Sequence, residues 1–158
     1  YSDSSYQYTN AELRENKGVV SKLGTYRKET VKTIDKAMRN KLNEDTALYR
    51  GAHISTNLSS GDTIKDYAYT STSFRKDIAE EFVSHAAQRN TDNLYVFKIL
   101  GKKNQKGIVV SMVYPGEIQR YESEFILPRN TELKVRKIKE IKDSGLVYKE
   151  VEAEILWV

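Results

Sequence analysis

Three short stretches of the sequence carry side chains whose types and spacing suit chemistry. Glu122-Ser123-Glu124 runs straight into Phe125-Ile126-Leu127, so the two-residue period of a strand would set both carboxylates side by side on one face. Like charges that close repel and split their proton affinities, which costs stability unless a cation or a cationic transition state lies between them; a solvated strand entrance is the plainer reading. Arg50 falls by the same alternation on the face of Leu48, Ala52 and Ile54, where an unpaired guanidinium is costly to bury. It must snorkel to solvent, meet an internal carboxylate or bind a phosphate. Ser71-Thr72-Ser73 sets three hydroxyls between a strand end and a helix start, suited either to capping that helix or to orienting a neighbouring polar side chain.

The elements that must position these residues follow from periodicity. Residues 9–22 and 26–42 read as helices, the second with Val31, Ile34, Met38 and Leu42 lining one face. From Ala47 the period changes to two, with Leu48, Arg50, Ala52 and Ile54 opposite Tyr49, Gly51 and His53. Residues 67–73 read as a second strand, and Ser73 as the N-cap of a helix with Ile78, Ala79, Phe82, Val83 and Ala86 on one stripe. Strand-like runs follow at 94–100, 108–114, 121–127, 133–141 and 146–157. Helices first and strands later make the class α+β.

Length and composition bound what such a chain can be. With 158 residues, 39% hydrophobic and 30% charged, it suits one core and a single domain over residues 1–158. There is no cysteine, and His53 and His85 are the two histidines, which excludes disulfide frameworks, zinc ribbons and thiol nucleophiles and leaves no basis for a metal site. A formal charge of +4 favours anionic ligands only mildly. Neither the P-loop nor the dinucleotide glycine fingerprint occurs. The turn Gly101-Lys102-Lys103-Asn104-Gln105-Lys106-Gly107 reads as a solvated loop, and Lys134, Arg136, Lys137, Lys139 and Lys142 as a charged strand blunting a sheet edge. No apolar run approaches the roughly 18 residues of a membrane span, and no signal peptide is visible after Tyr1, a start that fits a processed chain or an excised domain.

Taken in order, Arg50, Ser71-Thr72-Ser73 and Glu122-x-Glu124 resemble the Arg/Ser/Glu class of mono-ADP-ribosyltransferase toxins. Leu48-Tyr49-Arg50-Gly51 and Tyr69-Thr70-Ser71-Thr72-Ser73-Phe74 are written almost as in that family. Tyr1, Tyr6, Asn10, Leu13 and Arg14 are similar in spacing to the first helix of the clostridial binary-toxin and C3-like branches, and Ile34-Asp35-Lys36-Ala37 to the second. The resemblance covers essentially the whole chain. It implies N-terminal helices plus two packed, mostly antiparallel sheets around an NAD cleft, with NAD as substrate and no metal.

It also implies roles. Glu124 would hold the 2′-hydroxyl of the nicotinamide ribose and stabilise the oxocarbenium-like state formed as the glycosidic bond breaks. Ser71 would orient Glu124, and Arg50 would bind the NAD phosphate with help from Arg14. Gly51 would let the backbone reach the nicotinamide amide, while Tyr6, Asn10 and Thr72 are expected at the nucleotide. Phe82 is divided equally between nicotinamide contact and core packing. Glu122 would select an arginine acceptor and take its proton. The partner implied is a target protein with an accessible arginine, with a delivery or immunity protein besides and neither membrane nor nucleic acid. The site of action implied is the target-cell cytosol after secretion or injection. Two departures mark the chain: the stretch from Pro115-Gly116 to Glu122 is longer than in binary toxins, with Gln119 where an aromatic is expected and Tyr114 or Tyr121 as substitutes, and only His85 and Arg89 stand near the arginine expected beyond the aromatic. Two alternatives stay open: an NAD glycohydrolase, and a non-catalytic nucleotide- or RNA-binding module.

Overall fold

The computed structural model describes residues 4–89, 93–113, 121–143 and 145–156, with the side chains of 4–7, 111–113 and 121–123 outside the description. Helix α1 (Ser4–Glu15) buries Thr9, Asn10 and Leu13. It stops because Lys17 and Gly18 both take positive φ and the Gly18 N–H reaches back to the Leu13 carbonyl at 2.8 Å, a left-handed C-terminal closure. The expected helix over 9–22 therefore begins earlier and ends at Glu15, and Val20–Lys22 is a separate 3-10 turn. Helix α2 (Thr25–Ala37) buries Val31 and Ile34. It does not run to residue 42, because Asn40–Lys41 forms a short strand β1 on the edge of the sheet, where the Asn40 side-chain oxygen accepts the Val109 N–H at 3.0 Å.

The remaining elements are β2 (Thr46–His53), β3 (Thr63–Asp66), β4 (Thr70–Ser73), α3 (Lys76–Gln88), β5 (Leu94–Gly101), β6 (Lys106–Val113), β7 (Tyr121–Leu127), β8 (Thr131–Asp143) and β9 (Leu146–Ile155). The later strands match the alternation read from sequence; residues 114 and 157, placed in strands there, lie outside the described residues. Hydrogen bonding orders the strands β1-β6-β7-β4-β2-β5-β9-β8-β3, antiparallel throughout except for β5 beside β9. Between β4 and β2 the ladder narrows to one pair, Tyr49 opposite Ser73, whereas β2 and β5 match along eight residues.

That narrowing divides the strands into a group of four (β1, β6, β7, β4) and a group of five (β2, β5, β9, β8, β3). One apolar cluster serves both, joining Phe125 and Leu127 of the first to Leu48, Tyr95, Phe97 and Val151 of the second, and the Phe74 ring meets Phe125 edge-on at 5.9 Å. This is the expected α+β arrangement of packed, mostly antiparallel strands. Helices α1 and α2 close a second cluster over Tyr69 and Ile126. Helix α3 closes a third by setting Ala79 and Val83 against Val96 and Tyr148. At about 25 cal/mol per Å² of apolar surface, this burial is the main term holding the helices to the strands.

Candidate active site

The site begins where β4 passes between β7 and β2. Ser73 is paired across both neighbours, with Glu124 on β7 and Tyr49 on β2. Ser71 lies two residues back on the same face of β4 and is thus the diagonal neighbour of Glu124. Its hydroxyl donates to the Glu124 carboxylate. Of the two uses open to the Ser-Thr-Ser stretch, Ser71 takes the second, orienting a polar neighbour. Ser73 does not cap α3 directly as expected: the N-cap is Arg75, and the Ser73 hydroxyl accepts the Arg75 N–H at 3.0 Å in the turn before the helix. Thr72 alternates to the buried side, where its hydroxyl donates to the Phe125 carbonyl at 2.6 Å. The structure thus shows Thr72 clamping β4 to β7, a task separate from the nucleotide contact expected of it.

Arg50 answers the burial problem posed by its strand. Leu48 is fully buried, and Ala52 and Ile54 pack on the same cluster, but the Arg50 guanidinium donates from Nη1 to the Ser71 carbonyl at 2.8 Å. It does so where the β2–β4 ladder has opened, so a side chain replaces a ladder bond and ties the two strand groups together beside Glu124.

Gly51 stands on the other face of β2. A Cβ there would come within 2.6 Å of the Ala79 carbonyl oxygen and 2.7 Å of the Phe82 ring, so its missing side chain admits α3 at close range. Phe82 itself is 49% exposed. Of the apolar stripe expected on α3, Ala79 and Val83 are buried and Ala86 packs against their cluster, whereas Phe82 is presented beside Gly51 instead of inside the core. The start of α3 is fixed by charge. The Arg75 guanidinium hydrogen-bonds Asp77 and holds its carboxyl below the usual carboxylate range. A hydrogen bond from Lys76 to Glu150 at 3.2 Å holds that ammonium above its usual value.

The helical residues approach from below the Ser-Thr-Ser strand. Asn10 uses its whole amide on one peptide, donating to the Tyr69 carbonyl at 3.3 Å and accepting the Tyr69 N–H at 3.2 Å. Arg14 makes a two-pronged pair with Asp66, both contacts at 3.1 Å. Asp66 also accepts the Ala68 N–H and the Thr70 hydroxyl. The buried Tyr69 hydroxyl reaches Asp35 at 2.6 Å. Asp66, Tyr69 and Asp35 were not singled out in the sequence as site residues, although each lies in or near a stretch that was. Tyr6 lies on α1 and Glu122 on β7, where Glu122 is in register with Met112; their side chains lie outside the described residues. So do Tyr1, Tyr114, Pro115, Gly116 and Gln119, while Tyr121 is placed by its backbone alone. His85 and Arg89 fall at the far end of α3 and beyond it, both exposed. Among the described residues no group of three His, Asp or Glu side chains could hold a metal ion, and no helix is long and apolar enough to cross a membrane.

A family model described as "ADP-ribosyltransferase exoenzyme" matches residues 1–157. A comparison with curated protein sequences finds no significant match. Among solved structures, the fold is similar to C3larvin toxin, an ADP-ribosyltransferase from Paenibacillus larvae, with TM-score 0.65 and 21% identity over 95% of this chain and 80% of that one. It is similar to C3stau2 from S. aureus, solved with NAD, with TM-score 0.69 and 20% identity over 96% and 84% of the two chains. It is similar also to the enzymatic component C2-I of the Clostridium botulinum C2 toxin, with TM-score 0.72 and 16% identity over 97% of this chain and 41% of that one.

Proposed function

The chain belongs to the ADP-ribosyltransferase exoenzyme family, and from that membership we propose that it transfers ADP-ribose from NAD to an arginine side chain of a target protein, with residues 1–158 acting as one catalytic domain. The observation that carries this reading is the Ser71 hydroxyl bound to the Glu124 carboxylate at the point where the β2–β4 ladder opens. A carboxylate held in one orientation by a donor is suited to stabilising positive charge that develops only in the transition state.

In the proposed reaction the bond between nicotinamide and ribose C1′ breaks, and nicotinamide leaves with the bonding pair. Glu124 accepts a hydrogen bond from the ribose 2′-hydroxyl and offsets the charge on the ring. Arg50, tied by its guanidinium to the Ser71 carbonyl, faces the phosphates as a planar, permanently charged group. Arg14 assists through Nη1, the nitrogen outside its pair with Asp66. Phe82, exposed beside Gly51, provides a ring for the nicotinamide, and the Gly51 backbone its amide contact. Tyr6 borders the nucleotide. Asn10 and Thr72 serve the site by fixing Tyr69 and Phe125, the backbone on either side of Ser71 and Glu124. Glu122 pairs with the incoming guanidinium and takes its proton as the nitrogen attacks C1′. The proposed setting is secretion or injection and action in the cytosol of a target cell, with a delivery or immunity protein as a further partner; what supports it is that structural neighbours are toxins, one of them the enzymatic component of its toxin.

Labelled NAD mixed with target-cell lysate tests the assignment. Label transfer should fall by about 100-fold or more in Glu124→Ala, whereas Glu122→Gln should abolish transfer to arginine and leave some NAD hydrolysis. Transfer that survives Glu124→Ala unchanged contradicts the catalytic assignment, and free ADP-ribose without modified protein assigns the chain to NAD hydrolysis.

A further inference from the structure

We propose that the cavity between β1, the β5–β6 turn and the segment following β7 is a binding site for a small polyphosphorylated ligand, one that presents several phosphate groups on a compact scaffold. The cavity measures about 1260 Å³ and is lined by Lys41, Lys65, Lys102, Lys103, Lys106 and Arg129, against two carboxylates among the described residues, Asp35 and Glu132. Both carboxylates are already engaged. Glu132 pairs with Lys65 at 3.9 Å and Asp35 with Arg129 at 3.1 Å, while Lys102 turns to Glu154 at 3.4 Å. Asp45 accepts the backbone N–H of Lys103. Lys41, Lys103 and Lys106 form no ion pair with any carboxylate among the described residues.

The strand register sets these lysines apart from the rest of the molecule. Elsewhere the ladders set opposite charges against each other: Lys134 with Glu154, Lys137 with Glu152, Lys139 with Glu150 and Glu140 with Lys149 between β8 and β9, and Lys65 with Glu132 between β3 and β8. Between β1 and β6 the pairing is Lys41 with Lys106, like against like. Directly opposed like charges destabilise a ladder, and an anion seated between them reverses the sign of that interaction. The backbone beneath is fixed, since Leu42 exchanges main-chain hydrogen bonds with Asn104 and Gln105, and Asn104 and Asn130 hold their turns with positive φ. Phosphates can therefore be met by cations that need little rearrangement. Among the described residues the lining holds no aromatic side chain on which a nucleobase could stack. Lys106 is four residues along β6 from Val110, the partner of Glu124, which puts the cavity roughly 13 Å along the strand from that rung.

Calorimetric titration with tripolyphosphate and with inositol hexakisphosphate tests the site. The wild type should bind saturably with affinity falling as salt rises, and the combined Lys41→Gln, Lys103→Gln, Lys106→Gln variant should lose about tenfold or more. Removing the like-charge pair should leave the variant at least as heat-stable as the wild type, so the loss cannot be unfolding. The charge-matched Lys137→Gln, Lys139→Gln, Lys142→Gln variant and Arg50→Ala should each bind nearly as the wild type does. An equal loss in the β8 variant, a loss confined to Arg50→Ala, or no saturable binding by the wild type overturns the proposal; in the last case the lysines guard the edge strand. Sedimentation with phosphatidylcholine vesicles containing a phosphatidylinositol bisphosphate separates the sources: capture that needs the same three lysines assigns a lipid headgroup, and soluble binding without capture assigns a free polyphosphate.

Discussion

At the level of single residues, the proposed site turns on the hydroxyl of Ser71, which hydrogen-bonds Glu124. Its neighbour Thr72 does different work one position later, because strand alternation sends the two hydroxyls to opposite faces. Ser71→Ala should therefore lower the turnover of NAD by about 10- to 100-fold, the loss of one hydrogen bond to a charged group, with little change in the melting temperature. Steady-state nicotinamide release and thermal unfolding measure the two effects. A helix-capping Ser71 would give the reverse, a lower melting temperature with unchanged turnover. Arg50, Ser71 and Glu124 were legible in the sequence because each is a polar residue in a strand register that period two fixes. The contrast at Phe82 shows where that legibility ends. The residue fits the helical stripe of α3 by spacing, yet where Gly51 admits the helix at close range the ring stays 49% exposed, and spacing along one helix contains no information about its partner strand.

At the scale of elements, the close seating of α3 on β2 connects packing to the site. Gly51→Ala would drive a Cβ to 2.6 Å from a backbone carbonyl of α3, an atom that moves only if the helix does. We expect a loss of about 1–3 kcal/mol in stability, read by urea unfolding, and a rise in the KM for NAD as Phe82 and the Gly51 backbone separate. Unchanged stability would mean that the helix shifts freely. The boundaries that sequence alone misplaced share a cause. Helix α1 ends at a left-handed pair, Lys17 and Gly18, of which only the glycine hints at that conformation in the sequence. Strands β1 and β3 were not foreseen, since stretches of two and four residues acquire a ladder only from the strands they meet, β6 and β8. The long strands β5 to β9 were foreseen because their alternation is continuous and their cores demand it.

For the whole molecule, the decisive feature is the single-pair junction between β2 and β4. It lets the nine strands of the described residues act as two groups around one apolar cluster, and it sets Arg50, Ser71 and Glu124 at the seam. The mild +4 charge conceals an uneven distribution: the β8–β9 ladder sets Lys134, Lys137, Lys139 and Glu140 against opposite charges, whereas Lys41, Lys103 and Lys106 stand together at the other edge. The basic run at 134–142 thus belongs to a matched ladder along β9, and the turn at 101–107, read from sequence as a solvated loop, lines a cavity. Such pairings depend on strand order, which composition does not contain. The central claim, that this seam moves ADP-ribose from NAD onto an arginine, is met most directly by mass spectrometry of target-cell proteins after exposure to the domain and NAD. The account predicts ADP-ribose on arginine side chains of a defined protein, absent when Glu124→Ala is used; modification at another side-chain type, or the same modified arginines with the variant, would contradict it.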